Sequence, residues 1–333
     1  MSEQLILTIA NQFGIKPASV KKIRKGVYRV ISTGGVVYSL KRMPKSPAQL
    51  RWIDRVLRGV RKKGIRLAWR NPQTPEGRKL YAASPRGGLY VLTPWIAGRM
   101  PSPRSLSEMR ACGVALGRFH RAGSGAIKRH FAYNQTGAWP SILRARQRDL
   151  QNKVAKAKRN GFARTAINRF VRLHGPEMLR YANQAKALLR SSGYFSHRHR
   201  PRKRGVLCHG DGGPSNFVMN ASGTYLLDFE TLHVDLPAYD LYRVIYNSCK
   251  DHRWNFKIAK AILTGYRQAS KLSKTDYKLI GVWLRFPRTS CLVLSSYERF
   301  PLTEKNLHWA LSSERKITRF LQKLKQYAAT HSS

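Results

Sequence analysis

The 333-residue sequence predicts an α+β chain in which a small antiparallel β lobe precedes a larger helical lobe. Three observations predict it. Apolar runs at 20–25, 27–32 and 36–41 are separated by Gly26 and by Gly34-Gly35, the punctuation of an antiparallel meander. From Ser105 onward, apolar residues recur at helical spacing. A strand-rich insert, VLCHGDGGPSNFVMNASGTYLLDFE at 206–230, places polar residues at the ends of short apolar runs. The length suits two domains or one two-lobed unit with a substantial core.

Taken in order, the first residues MSEQLILTIANQFGI carry polar groups between apolar ones and no basic leader, so they read as an amphipathic helix and not a signal peptide. Three strands follow, the third closing on Lys41 in Tyr38-Ser39-Leu40-Lys41. Ser46-Pro47 starts a helix by the cap and first-turn proline rule, with Leu50, Ile53, Leu57 and Val60 on one face, and it ends near Gly64. Strands are expected at 65–69 and 89–95. This places a small β-rich lobe at 1–94, a hinge at 95–99 around Gly98, and a helical lobe at 100–333 that includes the hairpin 206–230.

In the helical lobe, Ser105 and Glu108 form a capping box ahead of Met109, Leu116 and Phe119. His120 is read as a packing or C-capping histidine. Basic helical sequence at 141–192 is expected to break at Asn160-Gly161 and at Gly175-Pro176. The run His197-Arg198-His199-Arg200-Pro201-Arg202-Lys203-Arg204 reads as a mobile loop before the central insert. Helices are expected near 254–269, 276–298 and 307–327, with Pro287 breaking the second.

Composition narrows the function classes. With 42% hydrophobic residues the chain is not disordered, and no apolar run reaches the length of a membrane span. Cys112, Cys208, Cys249 and Cys291 are far apart and form no C-x-x-C, which excludes the usual zinc pattern and points to buried free thiols and a reducing, cytoplasmic site of folding. The 63 Lys and Arg against 16 Asp and Glu give a formal net charge of +47, which favours association with polyanions. The densest basic run has no interleaved aromatics and no nucleic-acid reading module is evident, so specific nucleic-acid binding is not expected.

The insert carries the chemistry. Phosphoryl transfer needs a carboxylate to orient or deprotonate the acceptor hydroxyl, and oxygen ligands to hold magnesium against nucleotide phosphates. Asp211 suits the first task, with His209 beside it. Asn216, five residues on, and Asp228, from the next strand, suit the second. The five-residue step equals that of the protein-kinase catalytic loop. Lys41, at a strand end, is placed to reach the phosphates.

These residues resemble those of the kinase-like phosphotransferases of the aminoglycoside phosphotransferase and choline kinase group, and within it the CotS-type spore-coat proteins of endospore-forming bacteria. The broad match rests on Lys41 in YSLK, on His209-Gly210-Asp211 with Asn216, and on Leu227-Asp228-Phe229-Glu230. The narrower match rests on YVLTPWIAGR at 90–99, LGRFH at 116–120, and Phe286-Pro287 ahead of a helix with Ser296-Tyr297. The resemblance implies a protein-kinase-like, aminoglycoside phosphotransferase-like fold that uses ATP and Mg2+. Asp211 would be the base, Lys41 the phosphate contact, and Asn216, Asp228 and Glu230 the metal-site residues, Glu230 standing where the protein-kinase D-F-G has its glycine. It implies a hydroxylated small-molecule or protein acceptor, acidic coat proteins or other polyanions as partners, and residence in the mother-cell cytoplasm and then the spore coat.

Two features depart from that pattern. The nucleotide loop has only Gly26, and the helix after Lys41 has no glutamate, leaving Asp54 as the one acid available to pair with the lysine. The alternative is therefore a catalytically weak or inactive structural coat protein on a kinase fold.

Overall fold

The computed structural model describes residues 2–124, 133–159, 166–198, 205–296 and 304–331. The expected break at Asn160-Gly161, most of the basic run (199–204) and Tyr297 lie outside the described residues. The chain divides into two compact units, Met1–Pro101 with Ser215–Leu232, and Ser102–Pro214 with His233–Ser333. Residues 215–232, expected in the helical lobe, thus fall in the first unit.

In the first unit, α1 (Glu3–Asn11) precedes a five-stranded antiparallel sheet of order β1-β2-β3-β5-β4. Its strands are β1 (Pro17–Arg24), β2 (Val27–Ser32), β3 (Val37–Met43), β4 (Ala82–Ala83) and β5 (Leu89–Pro94). Side chains alternate across a strand. Tyr38 and Leu40 of β3 are buried, with Tyr28 and Val30 of β2, in the core that also takes Ile6, Ile9 and Phe13. Lys41 therefore lies on the other face of the sheet, opposite Val27 of β2 and Val91 of β5 in register.

Helix α2 (Pro47–Arg61) opens with a full capping box. The Gln49 N–H donates to Ser46 Oγ at 3.2 Å, and the Ser46 N–H donates to Gln49 Oε1 at 3.0 Å. The strand expected at 65–69 does not form. Only Leu67 bridges, to Leu226, and the sheet place beside β5 is taken by β4. The polar anchoring of Trp69 and Arg70, described below, holds this segment in place of a ladder. The hairpin of β7 (Phe217–Asn220) and β8 (Gly223–Leu226) completes the unit, and the Ala68 N–H donates to the Leu226 carbonyl at 2.9 Å.

The second unit is built on α3 (Leu106–Gly123), α4 (Trp139–Arg159), α5 (Ala166–Ser191) and α6 (Tyr194–Arg198), followed by β6 (Val206–Cys208). After these come β9 (His233–Asp235), α7 (Pro237–Cys249), α8 (Phe256–Ala269), α9 (Lys274–Arg285), α10 (Arg288–Ser296) and α11 (Glu304–His331). β6 pairs antiparallel with β9 and is not part of the hairpin. Helices α3 and α8 cross at glycines, and a Cβ on Gly265 would lie 2.0 Å from the Arg110 carbonyl oxygen. The capping box expected at Ser105 is half formed, since Glu108 accepts instead from the Ser102 N–H at 2.7 Å.

Two prolines have opposite outcomes. Pro287 separates α9 from α10 as expected, whereas α5 runs unbroken through Pro176. A proline removes one helical hydrogen bond. In α5 that loss is offset by burial of Phe170, Val171, Met178, Tyr181, Ala182 and Ala185 on both sides of it. The four cysteines are free thiols, and among the described residues no helix is long and apolar enough to cross a membrane.

Candidate functional site

In the first unit, strand alternation and the loop after β8 bring Lys41, Asp228 and Glu230 together. Lys41 Nζ donates to Asp228 Oδ1 and lies 2.8 Å from Glu230 Oε2. Arg24 Nη2 donates to the other oxygen of Asp228 at 3.0 Å. The Lys41 and Asp228 side chains are each 17% exposed and that of Glu230 is 35% exposed, so the cluster stays open to solvent. Asp228 adopts a left-handed backbone, φ 63° and ψ 72°, a conformation that costs a non-glycine residue on the order of 1 kcal/mol and is often held at functional positions. Asn216, 7% exposed, ends the short 3-10 turn Pro214–Asn216, and its carbonyl accepts from the Leu227 N–H at 3.0 Å. Its amide and the Asp228 carboxylate are hard oxygen donors of the kind magnesium takes.

Gly26 forms the β1–β2 turn at φ 75°, and its carbonyl accepts from the Arg42 N–H at 2.7 Å. Only a residue without a side chain enters this conformation freely.

Asp54 does not pair with Lys41. It is 5% exposed and held by Arg70, whose Nε and Nη2 donate to its two oxygens at 2.8 and 2.6 Å, while Trp69 Nε1 donates at 3.0 Å. Arg70 is equally buried and also donates to the Gly77 carbonyl. A two-pronged guanidinium clamp plus an indole saturates the carboxylate, so it has no reason to reach for a lysine. The sequence reading of Asp54 as the lysine's partner is overturned. Its place is taken by Asp228 and Glu230.

In the second unit, Asp211 follows β6 and the buried His209. The Asp211 side chain is 48% exposed, and the mostly buried Arg243 of α7 donates to its Oδ1. The loop bearing it is fastened from below. Asp240, fully buried in the first turns of α7, accepts from the His209 N–H at 2.6 Å and the Gly210 N–H at 2.8 Å. His120 Nε2 meets the same carboxylate at 2.9 Å, and its Nδ1 lies 2.8 Å from the Tyr266 hydroxyl. Burial pushes the Asp240 carboxyl upward, but these partners outweigh it and hold it below the ordinary carboxylate range. Arg243 is held above its usual value, since burial works against its charge but the neighbouring Tyr242 and Asp211 favour it.

His209 is 1% exposed and its Nδ1 accepts from the Asp211 N–H at 3.4 Å. That geometry makes it a support for the loop. The sequence reading missed Asp240, Arg243 and Arg24. For Asp240 a signal was present: an acid between Leu236, Leu241 and Val244 at helical spacing must be buried, and a buried acid needs partners.

A model of the phosphotransferase enzyme family matches residues 20–272, about three quarters of the chain and every residue of both clusters. The chain belongs to the phosphotransferase enzyme family. Among curated proteins, it is 22% identical over 299 residues to spore coat protein S of Bacillus subtilis (strain 168), spanning 86% of this chain and 83% of that one. Among solved structures, it is similar to an aminoglycoside phosphotransferase from Alicyclobacillus acidocaldarius, with TM-score 0.78, 19% identity, and coverage of 97% and 96% of the two chains. It is also similar to the amicoumacin kinase hAmiN solved with AMP-PNP, Ca2+ and amicoumacin, with TM-score 0.62, 16% identity, and coverage of 98% and 94%. The fold of this family member is thus the kinase-like α+β fold its sequence predicts.

Proposed function

We propose that the protein is an ATP-dependent, magnesium-requiring phosphotransferase that moves a γ-phosphoryl group to a hydroxyl acceptor, with Asp211 as the base. The observation that carries this reading is the Lys41 ammonium set against Asp228 and Glu230. Asp228 and Asn216 are the oxygen donors for the metal, and Lys41 is the cation for the phosphates. Magnesium, when bound, would neutralise phosphate charge. Side-chain cations already balance Asp228, so a divalent ion would exchange one countercharge for another. Glu230 takes the orienting role that a helix glutamate has in other kinases, because α2 has no carboxylate to offer. Asp240, through the His209 and Gly210 amides, keeps Asp211 presented. The likeness to a spore coat protein and the charge of +47 support association with a spore coat by attraction to acidic coat proteins.

A second reading, a structural coat protein on a kinase fold with little or no catalysis, is favoured by one observation. The only acid of α2 is committed to Arg70, so the lysine lacks a helix-borne partner.

Magnesium-dependent ATP binding and turnover by the purified protein separate the two. Asp211→Asn is expected to lower turnover about 10²–10⁴-fold, the range for loss of a general base. Asp228→Asn is expected to abolish the magnesium dependence of nucleotide binding. Nucleotide affinity indifferent both to magnesium and to Asp228 would sink the enzyme reading and leave the structural one.

A further inference from the structure

The second unit contains a cavity that neither the family match nor the phosphotransfer reading uses. It has a volume of about 510 Å³, within the range of small-ligand sites, and lies between the start of α3 and the turn that joins α7 to α8. Its walls carry three cations, Arg104, Arg253 and Lys257, over apolar surface from Leu106 and Ile258. One acid lines it, Asp251, and that carboxylate is already paired with Lys250. Among the described residues, none of the three cations has an acidic partner.

The backbone of this wall is unusual. Arg253 and Trp254 have φ of 53° and 55° in succession, and among the described residues the only other non-glycine residue with positive φ is Asp228, the candidate metal ligand. Left-handed conformations cost each of these residues on the order of 1 kcal/mol, and persist where the surroundings over-determine them. Here Trp254 is the anchor: it is 5% exposed, its indole N–H donates to Ser313 Oγ at 2.7 Å, and its backbone N–H donates to the Cys249 carbonyl at 3.0 Å. The fixed tryptophan holds its neighbour Arg253 at the cavity wall.

A solvated basic face would be convex and would spread its charges. In this concavity like charges converge, and low-dielectric walls focus the field. We infer that this cavity is a binding site for a small organic anion, one with a phosphate or carboxylate group on an apolar or aromatic body. The charged group answers Arg104, Arg253 and Lys257, and the body answers Leu106 and Ile258. The size and concavity select a small molecule over a protein segment. The inference stands whether or not the phosphotransfer reading holds.

Calorimetric titration with phenyl phosphate, phthalate and inorganic phosphate at about 0.15 M salt, where long-range attraction is screened, tests it. One saturable site per chain is expected for phenyl phosphate or phthalate, tighter than for inorganic phosphate. The stronger of the two identifies the headgroup. The double variant Arg253→Gly with Lys257→Ala should weaken binding at least tenfold. Both side chains are exposed and glycine accepts the left-handed turn, so its melting temperature should not fall. The variant Arg51→Ala with Arg58→Ala, equal in charge lost but placed on α2, should leave binding unchanged. Equal weakening in both doubles would assign the effect to bulk charge and overturn the proposal. So would the absence of any saturable site, or binding abolished by Lys41→Met instead.

Discussion

Two polar clusters of this protein are built from similar residue types and differ in what surrounds them. Around Asp240, the partners are buried: two backbone N–H groups and the His120 ring. Around Asp228 the partners are full cations, Lys41 and Arg24, and solvent reaches the group. The first arrangement is saturated and has no room for exchange. The second is a set of charges whose partners can be replaced by a metal ion or a phosphate without leaving a buried group unpaired. The contrast separates residues that hold a site in place from residues that are displayed by it.

Removing a holding residue should cost stability. Asp240→Ala strips the His209 and Gly210 amides and His120 of their acceptor in a fully buried place, so a loss of about 3–5 kcal/mol is expected in denaturant unfolding. A loss under about 1 kcal/mol would mean that the carboxylate is not a structural anchor.

Glu314 tests whether burial alone fixes the behaviour of such an acid. It is buried like Asp240 and receives the Ser290 N–H and hydroxyl, at 2.9 and 2.7 Å, but there burial outweighs the partners and pushes its carboxyl up to about 7. Its folded form therefore holds the proton more tightly than the unfolded chain, whose ordinary value is 4.5. The stabilising contribution is full below that value, falls as pH rises through about 7, and is gone above it. Between pH 5 and 8 the wild type should lose stability, on the order of 3 kcal/mol, that Glu314→Gln does not lose. Parallel pH curves for the two proteins would show that the carboxyl is not titrating in the fold.

The smallest effect belongs to the displayed cluster. Glu230→Gln should weaken nucleotide binding about tenfold, equivalent to about 1.4 kcal/mol, with little change in melting temperature. Asp54→Asn should do the reverse, lowering stability while sparing nucleotide affinity. If Asp54 proves to be the residue that nucleotide binding depends on, the assignment of the lysine's partner is wrong.

The displayed residues were legible in the sequence because they sit in short motifs, where a five-residue step or a strand-end position carries the signal. Their partners were not. Arg70 lies sixteen positions from Asp54, Asp240 lies 120 from His120, and nothing local announces either pairing. The strand expected at 65–69 shows the same limit: Ile65, Leu67 and Trp69 alternate as a strand would, yet strand formation needs a neighbour, and only Leu67 has one. At Gly175-Pro176 local chemistry predicts a break, and burial along α5 overrides it.

The division of the chain also has a consequence for how it is made. Residues 215–232 belong to the first unit, whose other part ends at Pro101, so the ribosome must add about 130 residues before the piece that pairs with Leu67 exists. At about 5–20 residues per second this is a wait on the order of 10 s. During that time the amino-terminal sheet lacks the β7–β8 hairpin, and the Ala68 N–H lacks its acceptor. The unit that begins first is therefore completed only once Leu232 has been added, and a nascent chain halted before residue 215 carries Lys41 with neither of its carboxylates.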